Sequence, residues 1–400
     1  MNVLMLTLMY PEDELEEVSK NAKDKLQNQI NNYQRAFIEG IRSNLLAGEQ
    51  LSIINSLPVG IFPLQYKKLI LRSGFHDHKT ILELGTLNLP FFKQKIRKLC
   101  TVHAIRRWAE ASPENRTVLL YTQYLPYVEA VLKIKKEFPD LKAAVIVTDL
   151  PNEFGLPTGR HGFLKKIEYY LGKKSMDLCR QLDGFVLLTK PMTEALRIEN
   201  KPYEVIEGLI QKQSTSSLEK SEETQPAVLY AGTLEPDLGI TALLDAFRHM
   251  PEYQLWICGQ GSMTPIVEQA SKKCANIHFY GFVAQKEALA LQAKASALIN
   301  PRSPDGLFTR YSFPSKTLEY LRSGKPVLCY KLDGIPDEYD HYLCYIQKND
   351  AAGIEKAVRE LMQLSDKERK QIGECGQHFV LNEKNPAAQC VKLLHLLRRL

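Results

Sequence analysis

The stretch RYSFPSKTLEYLRSGKP, residues 310–326, places a hydroxyl, an ammonium and a carboxylate at Ser315, Lys316 and Glu319. Pro314 suits the first position of a helix, with Ser312 or Phe313 as its cap and Gly324 as its stop before Pro326. The N–H groups of Ser315 and Lys316, the positive end of the helix dipole and the Lys316 ammonium would then converge where a phosphate is held. Arg310, just upstream, offers a second cation. Glu319 falls on the same helix face, about 5 to 6 Å further along at ~1.5 Å per residue. That offset matches a diphosphate followed by a ribose, whose diol a carboxylate accepts. The same spacing also fits a plain surface pair of Lys316 with Glu319, which contributes little.

Other candidates are scattered. Asp149, in AAVIVTDLPNEFG, follows an apolar run at its carboxyl end. It reads either as a group that binds acceptor hydroxyls and stabilises developing positive charge, or as an Asp turn before Pro151. Gly259 and Gly261 in CGQGSM permit close backbone approach after a strand, but they lack the third glycine and the acid of a dinucleotide fingerprint. His76, His78 and His161 have no Asp, Glu or Cys frame, so no metal is expected and no cofactor is called for. The eight cysteines occur singly, mostly in apolar segments, as reduced core thiols do.

Such groups need a scaffold. The apolar runs VLMLTL, LSIIN, VLLY, AAVIVT and GFVLL predict buried strands in the first half, with helices around 30–42, 91–109, 127–138 and 163–182. AVLYAG, QLWICG, IHFYG, ALINP and PVLCY predict strands in the second half, again with helices between them. The alternation implies an α/β protein of two doubly wound, parallel-sheet domains. Residues 1–210 form the first and 227–384 the second, joined by the polar, aperiodic linker 211–226. The amphipathic end, 385–400, is expected to cross back onto the first domain, with a membrane or partner helix as the rival reading. Open parallel sheets bind ligands at the carboxyl ends of their strands, and two in succession create a cleft between facing edges.

With 400 residues, 44% hydrophobic and 24% charged, the chain is long enough for two cores. It has no run of membrane-spanning length, and MNVLMLTLMYP reads as a first strand rather than a secretory leader, so a cytoplasmic location is expected. The net charge is +6, yet residues 58–107 alone hold ten Lys or Arg against Asp77 and Glu83. Leu64, Tyr66, Ile70, Phe91 and Phe92 are interleaved with those cations. Such a segment suits an anionic membrane surface or is simply a solvated face; without a recognition motif nucleic acid is not expected.

From here the chain resembles a known family across essentially its whole length. VLYAGTLEPDLGITALLDAF, LWICGQGSM, IHFYGFVAQKEALALQAKASALINP and YSFPSKTLEYLRSGKPVL are similar in order to the nucleotide-binding half of retaining glycosyltransferases of family 4, of the bacterial surface-polysaccharide type. The resemblance implies the GT-B fold, a nucleotide-sugar donor, a glycan acceptor such as a lipid-linked capsule precursor, no required metal, and a front-face reaction assisted by the leaving diphosphate. It implies donor-phosphate contacts at Ser315 and Lys316, a ribose contact at Glu319, further donor contacts at Gly232, Thr233, Gly259 and Gly261, and an acceptor-side catalytic position at Asp149. It also marks departures. Tyr311 stands where the family's Glu-x7-Glu motif begins, and Thr233 and Leu238 stand where an arginine and a lysine are usual, leaving Arg310 and Lys316 to compensate. Those departures keep open a non-catalytic relative that binds a nucleotide or supports a partner transferase.

Overall fold

Runs of apolar residues without alternation need cover on both faces, and the chain provides it with helices packed around two parallel sheets. The computed structural model describes residues 1–24, 26, 28–112, 114–150, 163–211 and 226–400; the linker read at 211–226 lies almost entirely outside them, as does His161. The described chain divides into two units, 1–209 with 386–400, and 210–385.

In the first unit the strands are β1 (Asn2–Thr7), β2 (Gln50–Asn55), β3 (Ile70–Leu71), β4 (Gly74–His76), β5 (Ile81–Glu83), β6 (Thr86–Leu87), β7 (Arg116–Tyr121), β8 (Lys142–Val147), β9 (Gly184–Leu187) and β10 (Tyr203–Val205). They form a sheet of order β10-β9-β8-β7-β1-β2-β5-β4, parallel except for β4 against β5, and a small antiparallel pair of β3 with β6. Val3, Leu119, Ala144 and Val186 are fully buried in its core. The helix Pro386–Arg399 packs on the helix Asn28–Arg42, burying Leu393, Leu394, Leu396 and Leu397. Gly40 allows that close approach, since a β-carbon there would stand 2.2 Å from the Pro386 carbonyl oxygen.

The second unit holds β11 (Ala227–Ala231), β12 (Gln254–Cys258), β13 (Ile277–Gly281), β14 (Ala297–Asn300), β15 (Val327–Cys329) and β16 (Cys344–Tyr345). Their order is β13-β12-β11-β14-β15-β16, all parallel. β11 therefore lies inside the sheet beside β12 and β14, and the chain reverses direction across the sheet at that point. Such a switch point is where an α/β sheet opens to a ligand.

Candidate functional site

The site of the second unit is built on the end of β11. Tyr320, fully buried, accepts a hydrogen bond from the Ala231 N–H at 2.9 Å and donates to the Ala231 carbonyl at 3.1 Å. That double link fixes the helix Ser315–Arg322 against the strand. Its cap is Pro314, extended at φ −74° and ψ 92°, and no side chain caps the helix. The expectation of Ser312 or Phe313 as the cap is thus corrected, because the extended Pro314 delays the first helical residue to Ser315. At the other end Gly324 adopts φ +76°, a left-handed turn that stops the helix.

Lys316 and Glu319 do not pair with each other: no ion pair joins them among the described residues. Glu319 instead accepts a hydrogen bond from Gln292 Nε2 at 3.1 Å, and Gln292 is itself buried. Burial lowers the Lys316 ammonium from its ordinary value, opposed by the nearby Glu319 carboxylate. Among the described residues no acceptor meets Lys316 Nζ. A desolvated, unpaired ammonium at the amino end of a helix is a group awaiting an anion. Ser315 lies exposed beside it.

The glycines serve backbone contact first. A β-carbon on Gly232 would stand 2.7 Å from Lys316 Cε, one on Gly259 1.7 Å from the Gly232 carbonyl oxygen, and one on Gly261 2.3 Å from that of Leu234. Gly259 also has φ +142°. The turns after β11 and β12 therefore interlock, with Glu235 accepting from the Ser262 N–H at 3.0 Å. Thr233 is exposed and accepts a hydrogen bond from Tyr230 Oη at its carbonyl, 2.6 Å away.

Arg310 has an acid and a ring as neighbours: its Nε lies 3.9 Å from Asp333 Oδ2, and its guanidinium lies 5.9 Å from the centre of the Tyr311 ring. Sequence reading missed Arg302, which follows β14 by two residues. Its guanidinium lies 4.5 Å over the Phe308 ring and its buried Nε has no partner. The available signal was a lone cation just past a strand's carboxyl end.

In the first unit Asp149 follows β8 and lines a cavity of about 420 Å³ with Tyr10, Asn31, Pro58, Tyr121 and Thr122. Its carbonyl accepts from Gln123 Nε2, and burial raises its carboxyl above its ordinary value. Glu83, which does not line that cavity, is pushed up to about 7 by burial and accepts from Asn55 Nδ2 at 2.6 Å and from the Leu57 N–H at 2.7 Å.

The basic segment is not uniformly a surface. Lys93 and Arg97 are buried and hydrogen-bond the carbonyls of Val59 and Leu57, while Lys68, Lys98 and Arg106 pair with Glu17, Glu129 and Glu137. Lys67, Arg72 and Lys95 stay exposed, as do Leu64, Ile70, Phe91 and Phe92, of which Phe91 is 85% exposed. No helix among the described residues is long and apolar enough to cross a membrane. Among them, no three His, Cys, Asp or Glu side chains converge as metal ligands.

A parallel sheet in each unit, with a cationic helix end at the switch point of one, defines a GT-B protein. Likeness to solved structures shows the same fold. Sucrose-phosphate synthase from Thermosynechococcus elongatus matches with a TM-score of 0.61 at 12% identity, covering 100% of this chain and 99% of that one. A glycosyltransferase from Rickettsia africae matches with a TM-score of 0.61 at 14% identity, covering 100% and 98%. The lipopolysaccharide outer core galactosyltransferase WaaB matches with a TM-score of 0.59 at 12% identity, covering 100% and 99%. Residues 212–379 match the family model described as Glycosyl transferases group 1. No curated protein matches the chain in sequence.

Proposed function

We propose that the protein transfers a sugar from a nucleotide-diphosphate donor to a glycan acceptor with retention of configuration. The observation that carries this is the unpaired, desolvated Lys316 ammonium at the amino end of the helix Ser315–Arg322, with Glu319 one turn further on. Lys316 and the helix-end amides hold the departing diphosphate, and Glu319, steadied by Gln292, accepts the ribose hydroxyls. Gly232, Gly259 and Gly261 let the strand ends close around that position, and Thr233 and Tyr311 border it. No nucleophile is assigned: the protein supplies position and charge, and the leaving phosphate takes the acceptor's proton. On the acceptor side Asp149 faces the cavity beside Tyr121 and stabilises positive charge as it develops at the anomeric carbon.

The acceptor is lipid-linked in this reading, as the surface-polysaccharide resemblance implies, and the protein works on the cytoplasmic face of an anionic membrane. Exposed Phe91, Phe92, Leu64 and Ile70, together with exposed Lys67, Arg72 and Lys95 in the same basic segment, give that contact its chemistry. The likeness to WaaB, named for transfer onto lipopolysaccharide, agrees with this acceptor class.

Calorimetric titration with nucleoside diphosphates, followed by donor turnover with and without acceptor, tests the proposal. Lys316→Ala is expected to slow turnover by about 10²- to 10³-fold, the scale for removing one stabilising donor. Wild-type turnover in that variant would overturn the assignment. Nucleotide binding without turnover on any acceptor would instead favour the non-catalytic relative.

A further inference from the structure

We infer that Arg302 supplies the second positive charge on the donor diphosphate, the part that the sequence offers to Arg310. The inference rests on the donor site proposed above and adds a residue to it.

Position is the first support. β11 and β14 run side by side with Val228 opposite Ala297 and Leu229 opposite Leu298. β14 ends at Asn300, so Pro301 and Arg302 follow the carboxyl end of the strand beside β11. Gly239, at φ +77°, brings the turn after β11 against the same place, since a β-carbon on it would stand 1.9 Å from the Pro301 carbonyl oxygen. Between Gly232 and Gly239 that turn contributes two acids, Glu235 and Asp237, and no cation. A positive charge at this strand end therefore has to come from elsewhere in the unit.

The state of the side chain is the second support. Its guanidinium lies 4.5 Å over the Phe308 ring, a cation–π contact that helps to hold it in place. Nε is buried with no partner, and no carboxylate pairs with the group among the described residues. Asp305, the acid of its own loop, is engaged by Asn349. Burial alone pushes the guanidinium down to about 10. A stacked, desolvated and unpaired guanidinium is unfavourable until an anion arrives, and its planar donors match two phosphate oxygens at once. Arg310 differs in having a carboxylate nearby, with Asp333 Oδ2 3.9 Å from its Nε.

The test is calorimetric titration of wild type, Arg302→Ala, Arg302→Lys and Arg310→Ala with uridine, guanosine, adenosine and thymidine diphosphates and with the matching nucleosides. For the diphosphate that binds, Arg302→Ala should weaken affinity about tenfold or more while the nucleoside is unaffected, Arg302→Lys should recover part, and Arg310→Ala should change it by less than about threefold. Arg302→Met keeps the stack on Phe308 without the charge. Its ligand-free melting temperature should equal or exceed that of wild type, and the upward shift on adding diphosphate should shrink. Unchanged diphosphate affinity in Arg302→Ala, or a loss carried by Arg310→Ala instead, overturns the role of Arg302 and leaves the donor site standing. Wild-type protein that binds no nucleoside diphosphate overturns the donor site and this inference with it.

Discussion

Lys316 reaches the end of β11 because residue 232 has no side chain: a β-carbon on Gly232 would stand 2.7 Å from Lys316 Cε and 2.8 Å from Tyr230 Oη. Gly232→Ala should push the ammonium out of line and disturb the bond from Tyr230 to the Thr233 carbonyl. Diphosphate affinity is expected to fall about tenfold, the loss of roughly one charge-assisted hydrogen bond. Titration calorimetry on the variant checks this; a variant that binds as wild type does would show that Lys316 has room to spare.

Tyr320 offers a sharper separation of fold from function. Its hydroxyl satisfies both the N–H and the carbonyl of Ala231, and all of these groups are buried. Tyr320→Phe strips both partners at once and should destabilise the second unit by about 1–3 kcal/mol. Chemical denaturation reads the loss, and a transition at the wild-type midpoint would mean that the link bears no strength.

These relationships also show what the sequence could and could not reveal. Runs such as AVLYAG and QLWICG were legible as strands because a parallel sheet covered on both faces tolerates only apolar residues. The short strands Ile70–Leu71, Thr86–Leu87 and Cys344–Tyr345 were not, since two residues carry no period. Lys93 and Arg97 looked like surface charge because the helix Phe92–Ala111 has cations all around it, and only the fold shows the Val59 and Leu57 carbonyls waiting for them. Ser315, Lys316 and Glu319 could be placed on one helix face from spacing alone. That Glu319 turns to Gln292, and Arg310 to Asp333, depends on chain segments far apart or across a turn, for which spacing has no signal.

Glu83 makes the stability of the first unit depend on pH in an unusual direction. Burial raises its folded value to about 7 from an ordinary 4.5, so between those values the folded state holds a proton that the unfolded chain has released. Stability contributed by this group is full below about pH 4.5 and is lost as pH rises through about 7. The difference is on the order of 3 kcal/mol at ~1.36 kcal/mol per pH unit. Glu83→Gln should flatten the fall, seen as the wild-type and variant unfolding midpoints diverging across pH 4.5 to 7. Parallel midpoints through that window would rule out Glu83 as the titrating group.

Phe91 and Phe92 carry the membrane prediction. They are 85% and 57% exposed at the start of the helix Phe92–Ala111, and Lys95 lies exposed on its first turn. Phe91→Ser with Phe92→Ser should cut flotation with vesicles at any salt, whereas Lys67→Gln, Arg72→Gln and Lys95→Gln should cut it only where the lipid is anionic, by about 1 kcal/mol for each cation. Binding that ignores both sets of changes would move the contact to another face.

Asp149 allows the acceptor side to be tested without touching the donor. It belongs to the first unit, while Lys316, Glu319 and Arg302 belong to the second, so Asp149→Asn should leave nucleoside diphosphate affinity at its wild-type value. If the carboxylate stabilises charge at the anomeric carbon, kcat should fall by about 10²-fold or more with little change in donor KM, because the interaction is made only as the bond to the leaving phosphate breaks. A raised carboxyl also places the acid limb of the rate profile above that of an ordinary aspartate, and Asn should abolish that limb. A turn-forming aspartate gives the opposite pattern: Asn keeps the turn, and both kcat and the acid limb survive.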